Sequence, residues 1–410
     1  MPNTIPLNGN DLHLSRDLLS FDPLSKVWKV IHTSGDIPPR TLGACGIYED
    51  NHFYIFGGQH GDPDENAFAL EGNNCQIYCL NLPTMEWKLL DSSKESKTSP
   101  QPCEKSLMTY NGGFLYVFGG YCEVPQAYSK PFHFALDPNA AYDWPRGWSS
   151  NLHRFNAKKK TWEFILVQPS NLKITSRAGH AGDKTSAGDR WVIFGGNGHQ
   201  SKLNDVLIFD FKTGSWTIAH PGFPFDYSKF DWTGSVTTSE GELIPEPRSG
   251  HSFTRIGQTD QFFLYGGISM LQQPLNDAWI LTLCDNFVSW KQIHLPYDFA
   301  VARCLHASVW IEHEILIHSG CTQEFYNNNL HLNDHPEDIL TFDLGVKSLF
   351  LTCVELIEKL GINSKELPKN ISFLFLARKI YSENSKLNHA LRPNREKEQL
   401  FVRSVLHAGL

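Results

Sequence analysis

Three short segments share one pattern of reactive side chains: Arg177/His180, Arg248/His251 and Arg303/His306. An imidazole can ligate a metal or move a proton, and a guanidinium can fork onto a carboxylate or phosphate. A metal site is therefore the first chemistry to consider. The three segments, however, fall at equivalent points of a longer repeat, so each is expected to serve its own repeat structurally, with no metal and no cofactor. No His-Glu-x-x-His, P-loop or Gly-x-Ser-x-Gly segment occurs. The nine cysteines are Cys45, Cys75, Cys79, Cys103, Cys122, Cys284, Cys304, Cys321 and Cys353. Their number is odd and none forms a Cys-x-x-Cys pair, which supports neither a disulfide framework nor a RING-type zinc site. Buried reduced thiols are expected instead.

The elements around these residues repeat from about residue 37 to residue 343. Each unit starts at Pro-Arg or Arg and runs through an apolar strand to a second strand ending in Gly-Gly. An Asn-Asp-type turn, a strand ending in Phe-Asp and a tryptophan follow. The Gly-Gly strands are 53–58, 115–120, 191–196 and 262–267, with a degenerate copy at 315–320, and the tryptophans are Trp87, Trp162, Trp216 and Trp290. Apolar runs without polar alternation suit strands buried on both faces. Paired glycines suit a place where a neighbouring backbone leaves no room for a side chain. Each tryptophan is expected to fill the layer between adjacent units.

Composition agrees with a folded repeat array. The 410 residues are 41% hydrophobic and 12% aromatic, ample for a packed core. A net charge of −8 and a pI near 6.1 leave no electrostatic footprint for nucleic acid. No run approaches the ~18 apolar residues of a membrane helix. The stretch Met1 to Leu19 lacks the apolar region of a signal peptide. Cytoplasm, nucleus or both are the expected locations.

This vocabulary resembles the kelch repeat, whose unit is one four-stranded blade of a β-propeller. The resemblance implies an all-β propeller over residues 1–345. Five Gly-Gly strands give five inner pairs, while Leu19-Ser20-Phe21-Asp22 and Trp28 read as the outer half of another blade. Six blades are expected, the first incomplete, with its remnant at 10–32. Three insertions lengthen the repeat: Gln59–Asn74, Cys122–Trp148 and Pro221–Pro247. Insertions in one register land on one face and commonly build a binding surface. The third is aromatic (Phe223, Phe225, Tyr227, Phe230, Trp232) and reads either as a binding or capping loop or as a loop packed on its own blade.

After Phe342-Asp343 the vocabulary changes. Leu349, Cys353, Ile357 and Leu360 recur at helical spacing, with Ser348 as N-cap and Gly361 as stop. Pro368 starts or interrupts a second helical segment whose apolar side is Ile371, Leu374, Phe375 and Ile380. By spacing alone these are helices that could simply pack on the propeller. The residues also match two short docking motifs. Ser348, Leu349, Cys353 and Ile357 resemble a BC box, and Leu367, Pro368 and Ile371 resemble a cullin-2 box. In tandem after kelch repeats they resemble the kelch-domain substrate receptors of cullin-2 ubiquitin ligases. That resemblance implies elongin C binding through Leu349, Cys353 and Ile357, with elongin B alongside. It implies cullin-2 and its RING subunit through Leu367, Pro368 and Ile371. The helical boxes would occupy 346–382 and a polar, basic tail 383–410.

In that family the top of the propeller captures a substrate's C-terminus, typically ending in glycine. Matching positions here are Lys105, Tyr121, Trp148 and Ser249. Two arginines of the family's carboxylate clamp are replaced by Asn197 and Lys202, and a tryptophan by Gly250. A guanidinium grips a carboxylate bidentately, whereas lysine offers a point charge and asparagine none. His199 and Lys202 keep some positive character, so an acidic or carboxylate-bearing peptide is the expected ligand. Lys105, Tyr121 and Trp148 could equally be propeller packing. The chain's own end, Ala408-Gly409-Leu410, is not glycine-terminated, so self-capture is not expected.

Three readings compete. The first is a non-catalytic receptor that presents a peptide degron to a ligase for ubiquitination. The second is a kelch scaffold whose tail is a packing helix. The third is an enzyme on a kelch propeller, which needs a Tyr/Cys/His or acidic ligand cluster at the channel mouth, and the sequence offers none.

Overall fold

The computed structural model describes residues 17–23, 27–61, 70–91, 98–125, 133–140, 145–166, 172–222, 230–231, 235–237, 241–285, 287–295, 301–311, 313–322 and 339–344. These residues are all-β, with no helix among them. The 346–382 boxes, and with them Leu349, Cys353, Ile357, Leu367, Pro368 and Ile371, lie outside the described residues.

Four antiparallel sheets share one plan. The first joins Cys45–Glu49, His52–Phe56, Ile77–Asn81 and Glu86–Asp91 in that order. The second joins Leu107–Asn111, Phe114–Phe118, Leu152–Asn156 and Thr161–Ile165. The third joins Ala181–Lys184, Arg190–Gly198, Lys202–Asp210 and Ser215–His220. The fourth joins Ser252–Arg255, Gln261–Tyr265, Ala278–Cys284 and Phe287–Ile293. A fifth sheet holds Ala307–Ile311, Glu314–His318 and Ile339–Asp343. The second strand of each is its most apolar, and it is the one the repeat ends in Gly-Gly or its degenerate form.

Successive sheets are joined by aromatic contacts of one form. The ring ending a second strand meets the outer tryptophan of the next sheet: Phe56 with Trp162 at 5.7 Å, Phe118 with Trp216 at 4.8 Å, Phe194 with Trp290 at 4.9 Å. These contacts close the apolar layers between sheets, where aromatic burial contributes most. The amino-terminal hairpin, Leu18–Asp22 with Val27–Ile31, repeats the pattern. Its Trp28 lies 4.6 Å from the imidazole of His318 in the fifth sheet. On the other side Leu18 packs against the core of Ala44, Ile55, Tyr78, Leu80 and Trp87 in the first sheet. The hairpin therefore bridges the last sheet to the first.

The glycine pairs have a direct steric reason. A side chain at Gly57 would put Cβ 2.6 Å from the carbonyl oxygen of Cys103, and one at Gly195 would put it 2.9 Å from that of Arg248. The second glycine then hydrogen-bonds to that same carbonyl. Gly58, Gly196 and Gly267 donate to Cys103, Arg248 and Arg303 at 2.8, 2.9 and 2.9 Å. Both glycines adopt left-handed φ, and in the degenerate copy Ser319 does so at +65°.

The Arg-x-x-His segments are part of this joinery. Arg177 holds Asp205 through two bonds of 2.7 Å, and Arg248 holds Asp277 at 2.6 and 2.7 Å, each within its own repeat. His180, His251 and His306 stand edge-on to Phe118, Phe194 and Tyr265 of the preceding sheet at 5.2 to 5.5 Å. Burial drives all three imidazoles below their usual pKa, helped by the adjacent arginine. Among the described residues no cluster of His, Cys, Asp or Glu could hold a metal. The described cysteines are free thiols. Cys284 corrects the expectation of burial: it is exposed, because it ends its strand at a surface turn.

Candidate peptide-binding face

Every unit begins its first strand, and ends its second, at the same end of the molecule. Residues following the paired glycines therefore meet residues following the arginine positions. Leu42 faces Gln59, Glu104 faces Tyr121, Ala178 faces Asn197, Ser249 faces Ile268 and Cys304 faces Cys321. One step further along, an arc of backbone bonds joins the sheets. Lys105 N–H donates to Gly43 O at 2.7 Å, and Gly179 N–H to Lys105 O at 2.8 Å. Gly250 N–H donates to Gly179 O at 2.8 Å, and Leu305 N–H to Gly250 O at 2.7 Å. All five residues have φ between +55° and +71°. Glycine takes this conformation without cost, whereas Lys105 and Leu305 hold it against their own side chains.

The insertions build on this end, as expected. Gln59–Gly61 pairs with Thr41–Leu42 and Leu70–Asn73. Tyr121–Glu123 and Phe134–Leu136 flank Arg146–Ser149, which continues through Ser149 opposite Arg177 into the third sheet. Within the third insertion Phe230–Asp231, Ser235–Thr237 and Leu243–Pro245 pair with one another. Four of its five aromatics, Phe223, Phe225, Tyr227 and Trp232, lie outside the described residues.

Tyr121, Trp148 and Lys105 are brought together. Tyr121 and Trp148 are cross-strand partners with rings 5.3 Å apart, and His199 stands 5.8 Å from Trp148. Tyr121 Oη donates to Asp137 Oδ2 at 2.8 Å. Burial and that carboxylate hold the phenol well above its usual pKa, so it stays a donor. The Arg146 guanidinium lies 4.5 Å over the Tyr121 ring. Its Nη2 is 3.3 Å from Glu104 Oε1, while Glu104 Oε2 is 3.4 Å from Lys105 Nζ. Glu104 thus balances two cations.

Asn197 and Lys202 are register partners on one hairpin. Lys202 departs from the expectation of positive character at the mouth. Its side chain is buried, and Nζ donates to Gln272 Oε1 of the fourth unit at 2.9 Å. Burial pulls the ammonium down to about 8. Glu246 lies beside it, because Asn204 Nδ2 donates to Pro245 O at 3.1 Å and Arg248 N–H to Leu203 O at 3.0 Å. Ser249 sits on the same segment, paired with Ile268. Glu104, Asp137, Arg146, Glu246 and Gln272 were not singled out by sequence. Arg146 lies two residues before Trp148, in Pro145-Arg146-Gly147-Trp148; the others have no short-range signal.

Residues 7–222, more than half of the chain, match the family model described as KLHDC2/KLHL20/DRC7 Kelch-repeats domain. The chain is 27% identical to bovine (Bos taurus) Kelch domain-containing protein 2 over 374 residues, 88% of this chain and 82% of that protein. It is 29% identical to mouse (Mus musculus) Kelch domain-containing protein 1 over 379 residues, 90% of this chain and 82% of that protein. Human Host cell factor 1 is 22% identical over 309 residues, 72% of this chain and 12% of that protein.

Proposed function

Because this chain belongs to the kelch-repeat family, a β-propeller family of protein interaction, we propose that it is a substrate-recognition subunit of a cullin-2–elongin B/C ubiquitin ligase. One observation carries the reading: the tandem of Ser348-Leu349-x3-Cys353-x3-Ile357 and Leu367-Pro368-x2-Ile371, directly after the repeats. In this reading Leu349, Cys353 and Ile357 form an apolar stripe for elongin C. Burying Leu349 would contribute about 1.5–3 kcal/mol. Leu367, Pro368 and Ile371 contact cullin-2. The chain itself does no catalysis; the RING partner and its conjugating enzyme transfer ubiquitin.

The five sheets and the bridging hairpin are read as a ring of six blades, one reduced to its outer two strands. The peptide degron docks on the rim of Lys105, Tyr121, Trp148, Asn197 and Ser249. That rim is supported by the insertions gathered on it and by the Tyr121–Trp148 ring pair next to the half-buried Lys105–Glu104 ion pair. The test is co-expression with the elongin B–C pair followed by size exclusion. Co-elution of wild type, lost in a folded Leu349→Ala/Cys353→Ala variant, supports the receptor; separate elution of wild type favours a kelch scaffold without a ligase.

A further inference from the structure

Among the described residues two cysteine pairs face each other across neighbouring strands, Cys103 with Cys122 and Cys304 with Cys321. The second pair holds the place in the fifth unit that Glu104 and Tyr121 hold in the second, and Ser249 and Ile268 in the fourth. Cys304 N–H donates to Cys321 O at 3.0 Å, and Cys321 N–H donates to Cys304 O at 2.8 Å. Antiparallel residues that exchange both backbone bonds stand about 5.5 Å apart at Cα, with side chains on the same face. A disulfide spans ~4.4–6.8 Å between Cα atoms, so these two sulfurs can join without moving the backbone.

The two thiols differ in access. Cys304 is fully buried, whereas Cys321 is partly exposed. Cys304 Sγ donates to Cys321 O at 3.5 Å. A hydrogen bond with the Cys321 thiol and burial hold Cys304 well above its usual pKa, and the nearby Lys202 ammonium pulls the other way without reversing this. Cys321 is therefore the sulfur that an oxidant reaches, and Cys304 stands protonated behind it. Reversible oxidation needs this division into an accessible nucleophile and an adjacent resolving thiol. Cys103 and Cys122 lack the first half, being 1% and 3% exposed. Cys284 lacks the second: it is exposed, but its cross-strand neighbour is Phe287.

We infer that Cys304 and Cys321 form a reversible oxidation site on this rim, closing to a disulfide when a hydroperoxide reaches Cys321. With hydrogen peroxide, the Cys321 thiolate attacks one oxygen and the O–O bond breaks. Cys321 becomes a sulfenic acid, and the departing hydroxide takes up the proton that the thiol lost. The Cys304 sulfur then attacks the sulfenic sulfur. The S–S bond forms as the S–O bond breaks, and the Cys304 proton leaves with that hydroxyl as water. Two thiols are oxidised, one peroxide is reduced and two waters form; a dithiol reductant reverses the bond. The disulfide ties the two strands next to Leu305, whose N–H donates to Gly250 O at 2.7 Å, at the seam between the fourth and fifth units.

The full chain, first reduced and then exposed to hydrogen peroxide, would be alkylated in denaturant, digested without reduction and read by mass spectrometry. The expected product is a peptide pair joined through Cys304 and Cys321 and lost on adding dithiothreitol, with Cys103 and Cys122 both alkylated. A folded Cys304→Ser variant should stop at the sulfenic acid, trapped on Cys321 by dimedone. A folded Cys321→Ser variant should leave Cys304 reduced. Oxidation of Cys284 while Cys304 and Cys321 both stay reduced in folded wild type overturns the inference. So does a Cys321 sulfenic acid that persists in wild type without the cross-link, or a Cys103–Cys122 cross-link that forms as readily.

Discussion

Replacing Arg248 by methionine tests whether the buried Arg–Asp pairs hold each repeat together. The guanidinium is fully buried. Nη1 and Nη2 reach the two Asp277 oxygens at 2.6 and 2.7 Å, Nη1 also reaches Gly266 O at 3.0 Å, and Nε reaches Glu246 O at 3.1 Å. Methionine fills much of the volume but donates nothing. Asp277, its side chain 7% exposed, would keep Trp279 Nε1 at 2.6 Å but lose its counter-charge. Removing one partner of a buried pair costs about 3–5 kcal/mol, a large share of the ~5–15 kcal/mol that stabilises a typical domain. Adding Asp277→Leu removes the stranded carboxylate, so the double variant should recover about 2 kcal/mol or more of that loss. Urea unfolding followed by tryptophan fluorescence reads this as a fall in midpoint with unchanged slope for Arg248→Met, partly restored in the double variant. A single-variant cost below about 1 kcal/mol, or strictly additive costs, would refute the reasoning.

The buried histidines predict acid sensitivity. Burial lowers His153 to about 4 and His306 to about 3, so the unfolded chain takes up their protons below about 6.5 and the folded chain does not. That stability, present at pH 7, is lost as pH falls from about 6.5, at about 1.4 kcal/mol per unit for each. His180 and His251 act in the same direction; Glu246 and Asp183, both raised by burial, oppose them. Urea midpoints should therefore fall between pH 6.5 and 5, and a rise would contradict the assignment. Ser319 holds left-handed φ where its counterparts are glycine, so Ser319→Gly should raise the thermal midpoint by relieving about 1 kcal/mol of strain. Trp28→Ala should destabilise the whole ring rather than its hairpin alone, because Trp28 contacts the fifth sheet; differential scanning calorimetry showing a separate early transition would argue otherwise.

Much of the architecture was legible because its causes are local. Gly-Gly after an apolar run marks a site where the next unit's carbonyl oxygen excludes Cβ, and Trp162, Trp216 and Trp290 each meet the ring their spacing implies. The outer half-unit at Leu19–Trp28 was also readable, but its wedging between His318 and the Leu80–Trp87 core was not, since those residues lie far away in sequence. The rim divides in the same way. The closeness of Tyr121 and Trp148 has a local cause, since both sit on paired strands within one repeat. The burial of Lys202 has no local signal, because Gln272 and Glu246, which surround it, lie seventy and forty-four positions on.

The docking tail is tested most directly by affinity capture of the full chain from cell extract, probed for elongin C and cullin-2. Wild type should recover both. A folded Leu349→Ala/Cys353→Ala variant should lose both, and a Pro368→Ala variant should keep elongin C while losing cullin-2. Folded wild type that recovers neither would contradict the receptor and leave a kelch scaffold.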